Sequence, residues 1–326
     1  MSKRIRRSLT SRLVLALCFS LSLFHTTHAQ EIDPNDVIKV NTDLVVLDAQ
    51  VIDKKTRKVF AGLRQQDFEI YEESVKQPIV YFGQDQLPLS VLLLLDISRS
   101  VTPIIAQVGM GANDALQRLK PEDEVAVMAF ADYPKLIQGF TKDRRIAAEK
   151  INEASTTFLG HGTFFNDALH EAAEVMNTAG NPTNRRAIIV ITDNIPSPGG
   201  KFSKDRVIAD LLESGTVVYG LVVRAAIGKA FNILSFGRLH AVDSYSEETG
   251  GEVLGADRDE VDARLAEMFT RLRTRYTLGY RPPENNEEGK FRRVKVQLSP
   301  TIMKVNKKLV VRARSGYYFR KKNRTG

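Results

Sequence analysis

The stretch Asp96-Ile97-Ser98-Arg99-Ser100 sets a carboxylate and two hydroxyls at alternate positions, where one turn of chain can aim them at a single point. These are hard oxygen donors, suited to Mg²⁺ or Ca²⁺, whereas zinc favours nitrogen and sulfur. Aspartate and serine also cap helices, so the stretch gains weight only from two others. "GHGTFFNDAL" places Thr163 just before a helical pattern, and "VITDN" places Asp193 at the end of a buried apolar run. His161 lies two residues before Thr163 and reads as a solvated or hydrogen-bonded loop histidine. Other chemistries fit less well. Ser98 and Ser100 lack the G-x-S-x-G turn of a hydrolase nucleophile, and the isolated glycines at 109, 111, 199 and 200 form no nucleotide fingerprint.

The elements that must position these residues alternate between strand and helix. "LSVLLLLD" and "RRAIIVITD" are continuous apolar runs ending in aspartate, the pattern of strands buried on both faces of a parallel sheet. Between and after them come "IIAQVGMGANDALQRL", "NDALHEAAEVMNTA", "DRVIADLLES" and "DEVDARLAEMFTRLRTR" with helical spacing, and "EVAVMAF" and "TVVYGLVV" as further strands. Such alternation predicts a doubly wound α/β domain with a mostly parallel sheet and helices on both faces. Ligands of open sheets of this kind bind beyond the carboxyl ends of the strands, where strand order reverses, and both terminal aspartates sit at that edge.

The flanks read differently. "VIKVNTDLVVLDAQVID" and "DFEIYEESVKQPIVYF" before the α/β block are strand-like, the second with a hairpin at Glu73-Ser74. "YTLGY", "GKFRRVKVQL" and "KKLVVRARSGYYF" after it are strands too. Each flank is too short to bury a stable sheet alone, so the two are expected to pair into one β-sandwich-like module with the α/β domain inserted between them. Tyr276, Tyr280, Tyr317 and Tyr318 are expected to pack between sheets rather than to form a sugar platform. The predicted divisions are a leader at 1–29, an N-terminal β segment at 30–87, the α/β domain at 88–275 and a C-terminal β segment at 276–326.

The leader has five basic residues, Lys3, Arg4, Arg6, Arg7 and Arg12, before an apolar run at 13–24 and a Thr27-His28-Ala29 cleavage pattern. That is the form of a secretory signal, and the run is too short for a spanning helix. Export to the periplasm, cell surface or medium is expected. Cys18, the only cysteine, lies inside the leader, so the mature chain is expected to be stabilised by its core without disulfides. Removing the leader lowers the basic count from 47 to 42 against 39 acids, and the net charge from +8 to +3. Residues 271–326 hold 17 Lys/Arg against 3 acids, a net of +14, which leaves −11 for residues 30–270. The basic residues are expected to alternate along solvated strand faces and pair with the acidic remainder; nucleic acid is not an expected partner, while an envelope or membrane-surface association is compatible with the charge.

In these motifs the sequence resembles the von Willebrand factor A superfamily, with its metal-ion-dependent adhesion site. Asp96, Ser98 and Ser100 match the D-x-S-x-S of that family, Thr163 the threonine of the second loop and Asp193 the aspartate of the third. "GLRQQDFEIYEES", "YTLGYRP", "GKFRRVKV" and "ARSGYY" in the flanks are similar to the von Willebrand factor A-related family described from Acidobacteria. The resemblance implies a divalent cation, Mg²⁺ or else Mn²⁺ or Ca²⁺, held by these five residues with one position open for a carboxylate of a protein partner. It implies binding and not catalysis, since no matched residue is a general base poised over a water. Two other readings stand beside it: a metal-independent structural subunit of an envelope complex, and a hydrolase using metal-bound water. One departure stands out. The third-loop aspartate of the family is usually followed by glycine, and Asn194 takes that place. Asparagine tolerates left-handed backbone angles, so the loop is expected to form.

Overall fold

A computed structural model describes residues 44–84, 87–181, 185–223, 241–283 and 287–319. The expected leader and the start of the N-terminal segment lie outside the described residues. Those described belong to one compact unit, Thr42–Gly326.

The apolar runs become the strands they predict. The N-terminal flank supplies β1 (Val45–Asp53), β2 (Phe68–Glu72), β3 (Val75–Gln77) and β4 (Tyr81–Gln84). The α/β block then runs β5 (Leu89–Asp96), α1 (Thr102–Leu116), β6 (Glu124–Phe130), β7 (Pro134–Thr141), α2 (Arg144–Thr156), α3 (Phe165–Met176) and β8 (Arg185–Thr192). It continues through α4 (Lys204–Glu213), β9 (Thr216–Val223), α5 (Ala241–Thr249), β10 (Val253–Ala256) and α6 (Val261–Arg273). The C-terminal flank adds β11 (Tyr276–Tyr280), β12 (Phe291–Leu298), α7 (Pro300–Val305), β13 (Leu309–Arg312) and β14 (Gly316–Tyr318).

The central sheet has the order β10-β9-β8-β5-β6-β7, parallel throughout except for the antiparallel edge strand β7. Every residue of β5 is buried, because helices cover both faces. Leu89, Val91, Leu93 and Leu95 pack with residues of α1, α2 and α6, whereas Leu92 and Leu94 pack with α3, α4 and α5. This two-sided burial is why the run carries no polar alternation. From β5 the chain winds outward through β6 and β7, then returns to β8 on the other side. The strand order therefore reverses between β5 and β8, and the register Leu95↔Ile191 brings Asp96 level with Thr192 there.

The two flanks form the two remaining sheets, β13-β1-β11-β4 and β14-β12-β2-β3. Each sheet takes two strands from each flank, so neither flank has a complete sheet of its own. Leu47, Ile70, Tyr276, Leu278, Tyr280 and Val296 meet in the core between the sheets. Tyr276, Tyr280 and Tyr317 are buried there, and Glu72 accepts hydrogen bonds from Tyr280 (2.6 Å) and Tyr317 (3.1 Å) and pairs with Arg292 (2.9 Å). The hairpin at Glu73-Ser74 forms with both residues at positive φ, +45° and +70°, the two-residue turn whose twist suits paired strands. One expected strand is divided. "KKLVVRARSGYYF" gives β13 in one sheet and β14 in the other, because the chain crosses between sheets at Ala313, Arg314 and Ser315. There Ser315 donates its N–H to the Glu248 carbonyl (2.9 Å), and Arg314 donates to the Val46 carbonyl (2.8 Å).

Candidate functional site

The end of β5 delivers Asp96 to the switch point, fully buried. Its Oδ1 accepts the Ser98 N–H at 3.0 Å and its Oδ2 the Thr192 hydroxyl at 2.6 Å. Ser98 is buried and its hydroxyl lies 3.4 Å from that of Ser100, which is exposed. The alternate positions do turn to one side, as the spacing predicts.

Thr163 is buried on the loop before α3. Its N–H donates to the Ser197 hydroxyl (2.9 Å) and its carbonyl accepts the Ser197 N–H (2.9 Å), which ties it to the loop that follows β8. Asp193 begins that loop, and its Oδ1 accepts the Ile195 N–H at 3.2 Å. Its Oδ2 is buried and has no hydrogen-bond partner.

Two carboxylates thus sit side by side, and among the described residues neither is paired with a lysine or arginine. Burial pushes the Asp96 carboxyl up to about 6, against the lowering pull of the Thr192 and Ser98 bonds, and the Asp193 charge adds to the rise. Burial raises the Asp193 carboxyl as well, opposed by the Ser100 hydroxyl and the Ile195 amide. Desolvation, and for Asp96 a neighbouring like charge, disfavour the ionised carboxylate until an opposite charge is supplied. The donor set of two carboxylates and three hydroxyls contains only oxygens, and one carboxylate oxygen is orphaned. That fits a hard divalent cation.

Asn194 adopts φ +62°, so the left-handed turn forms where the resembled pattern has glycine. Its side chain has a second task that glycine could not perform, accepting the Val242 N–H at 3.1 Å in the first turn of α5.

The family model described as the von Willebrand factor type A domain matches residues 91–196. The chain carries a von Willebrand factor type A domain. That span includes all five residues singled out from the sequence. Solved structures similar to the chain include the conserved hypothetical protein BatB from Bacteroides thetaiotaomicron, at 19% identity over 56% of this chain and 98% of that one, with a TM-score of 0.45. Another is the vWF domain of the type V pili tip protein Mfa5 from Porphyromonas gingivalis (10% identity, 56% and 94% covered, TM-score 0.43). A third is a von Willebrand factor type A protein from Catenulispora acidiphila (12% identity, 74% and 72% covered, TM-score 0.47). No curated protein matches the chain.

The sequence reading missed the residues that shape the A-domain loops. Asp132, just beyond β6, accepts the N–H groups of His161 (3.2 Å) and Gly162 (2.6 Å), and so sets the course of the loop to Thr163. Gly160 has φ +104°, and a Cβ there would lie 2.0 Å from Asp132 Oδ2. Ser197 and Thr192 are the other supports. The two glycines bracketing His161 were the available signal, since glycine so placed often marks a close approach of backbone to another group. His161 itself is exposed, with its ring against Phe158 at 5.3 Å.

Proposed function

We propose that this protein is an exported binding module whose A domain engages a protein partner through a divalent cation. A von Willebrand factor type A domain supports protein interaction as the general role. The observation that carries the finer reading is the pair Asp96 and Asp193: buried, adjacent, raised by desolvation and without a cation of their own, with Asp193 Oδ2 unsatisfied. An uncompensated buried charge is costly, and a bound divalent cation removes that cost. Asp96 and Asp193 would supply charge to it, and Ser98, Ser100 and Thr163 neutral oxygens. Such an ion, with one coordination position open, offers a Lewis-acid contact to a carboxylate of the partner. The carboxylates beside the two serines are Asp96 and Asp193, and in this reading both are committed to the cation as ligands and do not serve as general bases. The role proposed is therefore binding at the cell envelope or outside the cell, not turnover.

Thermal denaturation with and without Mg²⁺ or Mn²⁺ tests this. A ligand at a hundred times its dissociation constant stabilises by about 2.7 kcal/mol, so the melting temperature should rise with millimolar metal and the rise should vanish in Asp96→Asn. A folded protein whose melting temperature ignores both metals would reject the metal-dependent reading and leave a metal-independent assembly role.

A further inference from the structure

Three apolar side chains face solvent on loops at the same edge of the A-domain sheet as the proposed metal site. Phe158 is 72% exposed, Tyr133 55% and Ile195 38%. Phe158 belongs to the loop that reaches Thr163, Tyr133 follows Asp132, and Ile195 lies two residues beyond Asp193.

Their exposure is built in. Asp132 Oδ1 holds the amides of His161 and Gly162, its own N–H donates to the Leu159 carbonyl (3.0 Å), and the Phe164 N–H donates to the Ala131 carbonyl (3.0 Å). These four bonds lay residues 159–164 against the turn at 131–133, which sets Phe158 and Tyr133 on neighbouring backbone. A Cβ at Gly162 would stand 2.7 Å from Asp132 Oδ1, so glycine is what lets the loop settle there. On the other flank, the reciprocal bonds between Thr163 and Ser197 fix residues 195–197 beside the same loop. The apolar groups are thus held out by a bonded frame, and among the described residues they stay largely open to solvent, with the His161 ring against one side of Phe158. Large aromatic side chains fixed on a surface are the usual anchors of protein interfaces. Arg99, exposed between Ser98 and Ser100, adds a cation at this edge, which favours an acidic partner.

We infer that Phe158, Tyr133 and Ile195 form a specificity rim around the site. The partner it fits is a protein loop in which the acidic residue reaching the metal is flanked by bulky aliphatic or aromatic side chains. The inference rests on the metal-site reading above: the cation takes the carboxylate, and the rim reads its neighbours.

The test is selection of phage-displayed, disulfide-cyclised random heptapeptides on the full chain in millimolar Mg²⁺, followed by sequencing of the phage that chelator elutes. Peptides with an aspartate or glutamate beside Leu, Ile, Phe, Tyr or Trp are expected. A synthetic peptide of that class should bind Phe158→Ser roughly tenfold more weakly, a loss usual for an anchoring interface residue, while a peptide with the same acid flanked by serine should bind both proteins alike. Chelator-eluted acidic peptides with no apolar preference, or a preference unchanged in Phe158→Ser, would overturn the rim and leave the metal site standing. If chelator releases no enriched phage, and a following acid elution recovers peptides that lack an acidic residue, the metal-site reading is overturned and the inference with it. Sedimentation of the same samples provides the last check: a dimer that dissociates in Phe158→Ser would mean the rim serves a second copy of this chain, and would overturn the proposed partner.

Discussion

The two ends of the A-domain sheet treat their acids in opposite ways. At the amino ends of the strands, the buried acids Asp123 and Glu252 are paired with arginines, and Glu124 acts electrostatically on Arg186. Asp123 accepts the N–H groups of Leu89 and Lys120, both at 2.7 Å, and is paired with Arg273. Glu252 is paired with Arg271 at 3.0 Å and accepts the Gln50 amide at 3.1 Å. Glu124 accepts the Ser90 hydroxyl and the amides of Gly180 and Asn181. At the carboxyl ends, Asp96 and Asp193 have hydroxyls and amides only, and burial raises both. Among the described residues, arginines pair with acids at one edge and with neither Asp96 nor Asp193 at the other. Acids matched inside the chain hold parts together, and the unmatched pair is where the proposed cation would supply the missing charge.

The matched end also joins the A domain to the β-sandwich. Arg275, 1% exposed, donates to the Tyr219 hydroxyl (2.7 Å), the Gly250 carbonyl (3.0 Å) and the Asp48 carbonyl on β1 (2.8 Å). Arg185 pairs with the Asp48 carboxylate at 3.4 Å and donates to the Leu272 carbonyl. Arg312 donates to the Gly251 carbonyl at 2.9 Å. From sequence the basic C-terminal stretch is expected to alternate along solvated strand faces and to pair with the acidic remainder. Arg271, Arg273 and Arg292 do pair with acids, but Arg275 and Arg312 are consumed at this junction, where buried backbone carbonyls need donors that a guanidinium can reach in several directions.

Breaking the matched end should have the largest effect on stability. Arg271→Met takes the paired cation from Glu252, which has no exposure of its side chain, and leaves the Gln50 amide as its hydrogen-bond donor among the described residues. Leaving a buried charge without its partner costs about 3–5 kcal/mol. Urea denaturation is expected to show that loss, with metal affinity at the opposite edge unchanged. Equal stability would mean that the junction is already wet and that the two edges differ less than their contacts imply.

A smaller effect is expected at the unmatched end. Thr163→Ala removes one hydroxyl oxygen but leaves the backbone bonds to Ser197 intact. Losing a polar contact of this kind costs about 1–3 kcal/mol, so affinity for Mn²⁺ should fall by roughly tenfold to a hundredfold, with the urea midpoint in chelator unchanged. Unaltered affinity would remove Thr163 from the donor set.

Much of this was legible in the sequence, for identifiable reasons. β5 and β8 read plainly because both faces are covered, so the five residues before Asp96, Val91 to Leu95, are all apolar. The alternation of Asp96, Ser98 and Ser100 is local, and a turn suffices to gather it. Asn194 declared its left-handed angle by its type. The edge strand β7 did not declare itself, since it starts with proline, contains glycine and has no fully buried position. Nor did Asp132, whose partners lie 29 and 30 residues away, or Arg185, whose acid lies 137 residues away. Such pairings depend on how the sheet brings loops together, and no local spacing encodes them.

Direct measurement of Mn²⁺ binding to the full chain, by the loss of the free-ion electron paramagnetic resonance signal, puts the contrast between the two edges to its plainest test. One Mn²⁺ per chain is expected for the unaltered protein and for Arg271→Met, and none in Asp96→Asn or Asp193→Asn. Absence of bound Mn²⁺ in the folded chain, or a stoichiometry that survives both aspartate substitutions, would contradict the assignment of the unmatched edge as a cation site.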